Sequence, residues 1–181
     1  MALSTRLRVI LGLALLMLAV QLYNAASGYS LVGHGILPRH LWGLQGIVFA
    51  PFLHGSMAHL LSNLVPFLVL SWLVATEGVG RYLRVVLLVC LVGGGLVWLV
   101  GRSSLHVGAS GLIFGLWTYL LARAWYQRSL ASLGLALIAL VAYSGMLAGF
   151  VPVPGVSFES HIAGAFAGIL AARWLHAGQG T

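Results

Sequence analysis

Charge is what this sequence has least of. Among 181 residues only 11 are charged: nine arginines and two glutamates, with neither lysine nor aspartate. A soluble domain carries about 25% charged residues, against 6% here. So few charges cannot cover the surface of a chain this size, which excludes an ordinary soluble enzyme. The 61% hydrophobic content excludes a disordered chain. Cysteine is equally scarce. Cys90 lies inside an apolar run, where it forms no internal disulfide and no thiolate cluster, and it reads as a small apolar residue facing lipid or core. The arginines stand singly between apolar runs. The net charge of +7 therefore reads as a topology signal in loops and not as a nucleic-acid footprint, and no nucleic-acid partner is expected.

What is present is a series of long apolar runs. They predict an all-α polytopic membrane protein, a single domain over 1–181 whose surroundings are the lipid bilayer. Six transmembrane helices are expected, over about 7–23, 58–76, 82–100, 110–126, 130–150 and 160–175. The first has Arg6 and Arg8 before an apolar core, as a signal peptide would. No convincing small-x-small cleavage site follows it, so it is read as a retained span. The loop from Asn24 to about Met57 is rich in Leu41, Trp42, Leu44, Ile47, Val48, Phe49, Phe52 and Leu53, and predicts an element lying in the interface. Pro66 is a candidate kink in the second span, and Gly93, Gly94 and Gly95 allow close backbone approach in the third.

Arginine counting sets the orientation. With the N-terminus in the cytoplasm, Arg6, Arg8, Arg81, Arg84, Arg123, Arg128 and Arg173 lie inside, and only Arg39 and Arg102 lie outside. A bacterial inner (cell) membrane is the expected location, with any site at the outer helix ends opening to the extracytoplasmic side. The fourth span is short. Ser110 to Trp125 is 16 residues, or roughly 24 Å of helix, against a hydrocarbon core of about 30 Å. The stretch 101–109 must then dip into the protein, where irregular backbone is tolerated only if buried or lining a wet cavity. A water-filled pit open to the outside is the consequence.

Polar residues inside spans are functional candidates by default. His59 and Asn63 sit i, i+4 on one face of the second span, with His54 and Ser56 just before it. Ser110 opens the fourth span within Gly108-Ala109-Ser110-Gly111, and His161 lies in the first turn of the sixth. Three helices thus carry a serine and several histidines to one depth in one leaflet. A serine hydroxyl becomes a nucleophile when a base takes its proton, and histidine is the usual base. Acyl transfer also needs oxyanion donors. The Ser110 N–H, Asn63 and His59 are candidates, while Gly108, Ala109 and Gly111 leave room for substrate beside Ser110. Glu77 is a membrane thickness away and Glu159 is i, i+2 from His161, so the expected unit is a Ser-His dyad without a carboxylate. Phe114 shares a face with Ser110 and is placed to stack on the imidazole. No cofactor and no metal are expected: a zinc reading of His54, His59 and His161 lacks carboxylate and thiolate ligands and a His-Glu-x-x-His spacing. His34, His40, His106 and His176 read as solvated loop or tail residues.

The segments His54-Gly55-Ser56-Met57-Ala58-His59-Leu60-Leu61-Ser62-Asn63, Gly108-Ala109-Ser110-Gly111 and His161-Ile162-Ala163-Gly164 resemble the three signature segments of rhomboid intramembrane serine proteases, across about residues 40–175. The resemblance implies a rhomboid-like bundle in which Ser110 is the nucleophile and His161 its general base. It implies an oxyanion hole from His59, Asn63 and the Ser110 N–H, with His54 as a structural or oxyanion-side histidine. Gly164 and Gly168 would let the sixth helix pack on the fourth. Family members commonly have Tyr at Phe114, and many have a Trp-Arg pair where Gln45 and Gly46 stand. The expected activity is hydrolysis of peptide bonds in or near transmembrane segments of membrane-protein substrates. Substrate would enter between the second and fifth spans, under a lid formed by 151–158. Two alternatives are a catalytically inactive rhomboid-like protein that binds transmembrane clients, and a small transporter or channel. Inactive members typically lack the serine or the histidine, and both are present. A pore would need polar residues through both leaflets, and the inner halves of the spans read as apolar.

Overall fold

The computed structural model describes residues 2–176; Met1 and 177–181, the ends of the expected single domain, lie outside the described residues. Among the described residues the chain is helical, with one isolated bridge between Ile36 and His106. We number the principal helices α1 (Ala2–Ala26), α2 (Met57–Ala75), α3 (Val79–Val100), α4 (Ser110–Gln127), α5 (Leu130–Ala142) and α6 (Phe158–His176).

Three of these, Thr5–Ala26 within α1, α2 and α3, are long and apolar enough to cross a membrane. A fourth is reached if α5 and the 3-10 turns Ser144–Phe150 count as one span bent by 63°. This differs from the six spans expected, for two physical reasons. The run 130–150 is not one rod: its helix ends at Tyr143, and Gly145 and Gly149 disfavour its continuation. Meanwhile α4 carries Ser110, Thr118, Arg123 and Gln127, and α6 carries Glu159, Ser160, Arg173 and two histidines alongside its Gly and Ala residues. Both helices therefore fall below the apolarity of a lipid-facing span. α1 begins five residues before the expected start of its span, at Ala2; apart from it and the run 130–150 the helix ends lie within about three residues of those expected, and α2 runs through Pro66.

α4 is the centre of the molecule. Every residue from Leu112 to Leu120 is buried, so this helix is enclosed on all sides. It packs on α6, α5, α2 and α3. Apolar surface gains little by leaving lipid, so close approach of small residues and interhelical hydrogen bonds hold such a bundle together. The α4–α6 seam has both. Ala163, Gly164, Ala165, Ala167, Gly168, Ala171 and Ala172 are buried on α6. A Cβ on Gly164 would overlap the Gly111 carbonyl, and one on Gly168 the Gly115 carbonyl. Thr118 donates its hydroxyl to the Ala165 carbonyl at 2.8 Å. The Trp117 indole N–H reaches the Ala139 carbonyl of α5 at 3.0 Å, and Tyr82 of α3 bonds Ser71 of α2 at 3.1 Å. A π-helical stretch, Val89–Gly93, brings Gly93 onto Gly164.

The apolar loop before α2 folds as short helical turns over Leu41–Phe52. Leu41, Trp42, Val48 and Phe49 are exposed, while Ala50, Pro51 and Leu53 point inward. It holds the 101–109 segment through the paired main-chain bonds of Ile36 and His106 (3.0 and 2.9 Å) and through Gly108 N–H to the Ala50 carbonyl (2.9 Å).

Candidate active site

Ser110 is the first residue of α4, following Gly108 in a left-handed conformation (φ +114°) that a side chain rarely adopts. As an N-terminal helical residue, Ser110 keeps a backbone N–H with no intrahelical partner. Because the α4–α6 seam has no Cβ atoms at Gly111 and Gly164, the two helix starts come together. The Ser110 hydroxyl lies 2.9 Å from His161 Nε2.

The opposite edge of the imidazole fixes its tautomer. His161 Nδ1 lies 2.7 Å from the Gly149 carbonyl, which only accepts. Nδ1 must therefore carry the proton, leaving Nε2 as the acceptor for the Ser110 hydroxyl. Phe114 stacks on the ring at 4.2 Å between centroids and 5° between planes. Gly149 is glycine for lack of space: a Cβ there would stand 2.6 Å from the Phe114 ring and 3.0 Å from His161 Nδ1. Sequence reasoning missed Gly149. Its contribution is a main-chain carbonyl, which no residue type announces.

His59 and Asn63 of α2 line the same cavity as Ser110. The Ser56 hydroxyl caps α2 by accepting the His59 N–H at 3.0 Å. Asn63 donates one amide N–H to the His59 carbonyl at 2.9 Å, which leaves its second N–H available. Gly108 sits against this pair: a Cβ there would lie 2.7 Å from His59 Nε2. His54 is fully buried behind the site and accepts the Ala109 N–H on Nε2 at 3.3 Å. Burial, and next the facing His59, push its pKa down to about 4, opposed in part by the Phe52 carbonyl. Asn24 of α1 holds the His54 carbonyl at 3.1 Å. Thus His54 Nε2 and His161 Nε2 each already serve a partner other than a shared ion.

Ser110, His161, His59 and Asn63 all line one cavity of about 760 Å³, completed by Ser56, Ser62, Arg102, His106, Val156 and Ser157 among others. Gly108 and Gly111 are not on its wall. Gly111 faces α6, where its Cβ position lies 3.1 Å from the Ser160 carbonyl. Its smallness serves the packing of α4 on α6.

Two histidines expected in solvent are buried. His106 is 1% exposed and His176 5% exposed. His176 belongs to a polar cluster at the far end of the bundle. There Glu77 accepts from the Tyr119 hydroxyl at 2.5 Å and from Gln127 at 2.7 Å, and pairs with Arg81, Arg123 and His176 at 3.4 to 3.5 Å. The helix ends there are consequently not uniformly apolar. Glu159, the second acid, pairs with Arg102 at 2.7 Å and not with His161.

Against known proteins, the Rhomboid domain family matches residues 38–178. An uncharacterised protein of Mycobacterium tuberculosis is 38% identical over 178 residues, covering 93% of this chain and 74% of its own. A putative rhomboid protein of Acanthamoeba polyphaga mimivirus is 29% identical, over 66% of this chain and 68% of its own. RHOMBOID-like protein 4 of Arabidopsis thaliana is 32% identical, over 66% of this chain and 31% of its own.

Proposed function

The chain belongs to the rhomboid family of membrane proteins, and from that premise we propose that it is an intramembrane serine endopeptidase working through a Ser110–His161 dyad. The observation that carries the proposal is the 2.9 Å contact between the Ser110 hydroxyl and an imidazole nitrogen left unprotonated by the Gly149 carbonyl on the opposite edge. Geometry and tautomer are those a general base needs.

The reaction runs in two halves. Ser110 Oγ attacks the scissile carbonyl carbon while its proton passes to His161 Nε2. The imidazolium keeps its Nδ1–H on Gly149 and its face on Phe114. The developing oxyanion is stabilised by the Ser110 N–H, by the free N–H of Asn63 and by His59, all facing the same cavity. His161 returns the proton to the leaving amine and the C–N bond breaks. Water from the cavity then gives its proton to His161 and attacks the acyl carbon, and the new carboxyl terminus leaves as Ser110 recovers its hydrogen. A helical substrate hides its amides in i→i−4 bonds. Transmembrane substrates with helix-weakening residues near the cleaved bond are accordingly the expected class.

The membrane arrangement is part of the same proposal. All six helices cross: α4 is enclosed by its neighbours, and α6 buries His161 and His176 while Ile162, Phe166, Ile169 and Trp174 face outward. Seven arginines then face the cytoplasm with the N-terminus and two face outside, so the cavity opens on the extracytoplasmic side of the cell membrane. The segment 151–158, exposed over 151–155, forms the lid, and substrate enters between α2 and α5.

A fluorophosphonate reports on the activated serine without a known substrate. Purified protein in mild detergent is expected to label, and Ser110→Ala and His161→Ala to abolish labelling. A folded wild type that does not label would overturn the protease reading in favour of a client-binding protein. Labelling that survives Ser110→Ala would mean a different nucleophile.

A further inference from the structure

A second serine–histidine contact lies beside the dyad. His106 Nδ1 is 2.5 Å from the Ser157 hydroxyl. His106 precedes Ser110 by four residues, and Ser157 precedes His161 by four. The two pairs are therefore successive rungs between the same two chain segments.

Each end of the His106 rung is fastened. Its main chain is bonded in both directions to Ile36. Its Nε2 lies 3.0 Å from the Arg102 carbonyl, an acceptor, so Nε2 carries the proton and Nδ1 accepts the Ser157 hydroxyl. Ser157 Oγ in turn accepts the Ser160 N–H at 3.3 Å and meets the Ser160 hydroxyl at 2.7 Å, while the Ser157 carbonyl accepts the His161 N–H at 3.3 Å. A chain of hydrogen bonds thus runs from the segment entering Ser110 to the backbone of His161. Arg102 reinforces it, donating to the Val156 carbonyl at 2.5 Å and pairing with Glu159. These ties bind the end of the 151–158 segment and leave 151–155 as its exposed part.

We propose that His106 is a positioning residue, whose Nδ1 holds the Ser157 turn at the distance that keeps His161 on Ser110. The inference rests on the protease reading for its consequence, and its contact geometry stands apart from it. Asn and Gln separate the two edges of the imidazole. In His106→Asn the side-chain oxygen takes the place of Nδ1 and the bond to Arg102 is lost. In His106→Gln the amide N–H takes the place of Nε2 and the acceptor for Ser157 is lost.

Two readouts decide the matter: the fluorophosphonate labelling rate of Ser110, and the ¹⁵N signals of the His161 ring in histidine-labelled protein, assigned with His161→Gln. His106→Gln is expected to label about ten- to a hundredfold more slowly, with His161 signals moved towards those of Ser110→Ala. His106→Asn is expected to stay near wild type in both. Ser157→Ala should behave as His106→Gln and Ser157→Thr as wild type, and this pair carries the test if a His106 variant does not fold in a thermal melt. Gln and Asn variants that behave alike, or Gln signals identical to wild type, would overturn the proposal. If wild type never labels yet the His161 signals still move in His106→Gln, the positioning role stands and the protease reading falls. If wild type labels and His106→Gln matches it, the protease reading stands and this proposal falls.

Discussion

Gly164 of α6 lies on the Gly111 carbonyl of α4 with no space for a single added carbon. His161 sits one turn before Gly164 and Ser110 one residue before Gly111, so this contact sets how near the two reactive groups come. Gly164→Ala is expected to push α6 outward. Overpacking of this kind costs about 1–3 kcal/mol, and a displacement approaching 1 Å is worth about a hundredfold in rate. The variant should fold with a lowered melting temperature and lose fluorophosphonate labelling to a greater extent than its fraction unfolded explains.

Gly149→Ala probes the imidazole from its other side. The added carbon would press on Phe114 and on His161 Nδ1, yet Gly149 lies on the edge of the molecule, in the 3-10 turns after α5. The expected result is a near-normal melting temperature with labelling reduced about tenfold or more. Wild-type labelling would show that the carbonyl contact does not orient the base.

His54 gives a pH dependence of stability. Its pKa is about 4 when folded, against 6.5 unfolded, so the unfolded chain binds the proton more readily and acid favours unfolding. The contribution is complete above about pH 6.5, declines as pH falls, and levels off below about pH 4. Linkage places roughly 2 kcal/mol of loss at pH 5. Detergent melts at pH 7 and pH 5 should show a smaller difference in His54→Asn than in wild type. An equal difference in both would assign the acid sensitivity to other groups.

Much of this site was visible in the sequence because side chains carry it. Ser110, His161, His59 and Asn63 announce themselves as polar groups within apolar runs, and all four reach one cavity. What stayed hidden depends on main chain or on distant pairing. Gly149 acts through its carbonyl. His106 looks like a solvated loop histidine until 101–109 is seen folded against 151–158. The packing of Gly111 on α6 likewise depends on a distant pairing. Most helix boundaries were legible from where the apolar runs begin and end, while the Ser56 cap of α2 emerged only from the structure. The break after α5 was not, since Gly145 and Gly149 are tolerated within many apolar helices.

Glu77 is the carboxylate around which Arg81, Arg123, Tyr119, Gln127 and His176 gather, joining the ends of α3, α4 and α6 just after α2. The Arg123 side chain is only 6% exposed and that of Glu77 10%. Removing the negative partner from such a cluster leaves buried guanidinium charge uncompensated, at a cost of about 3–5 kcal/mol. Glu77→Gln keeps the size and loses the charge. It is expected to lower the melting temperature strongly while leaving the labelling rate of the folded fraction unchanged, because the cluster touches neither Ser110 nor His161. A variant as stable as wild type would show that the arginines find water or lipid phosphate in its place. One that stays folded but stops labelling would reveal coupling along α4 between its two ends.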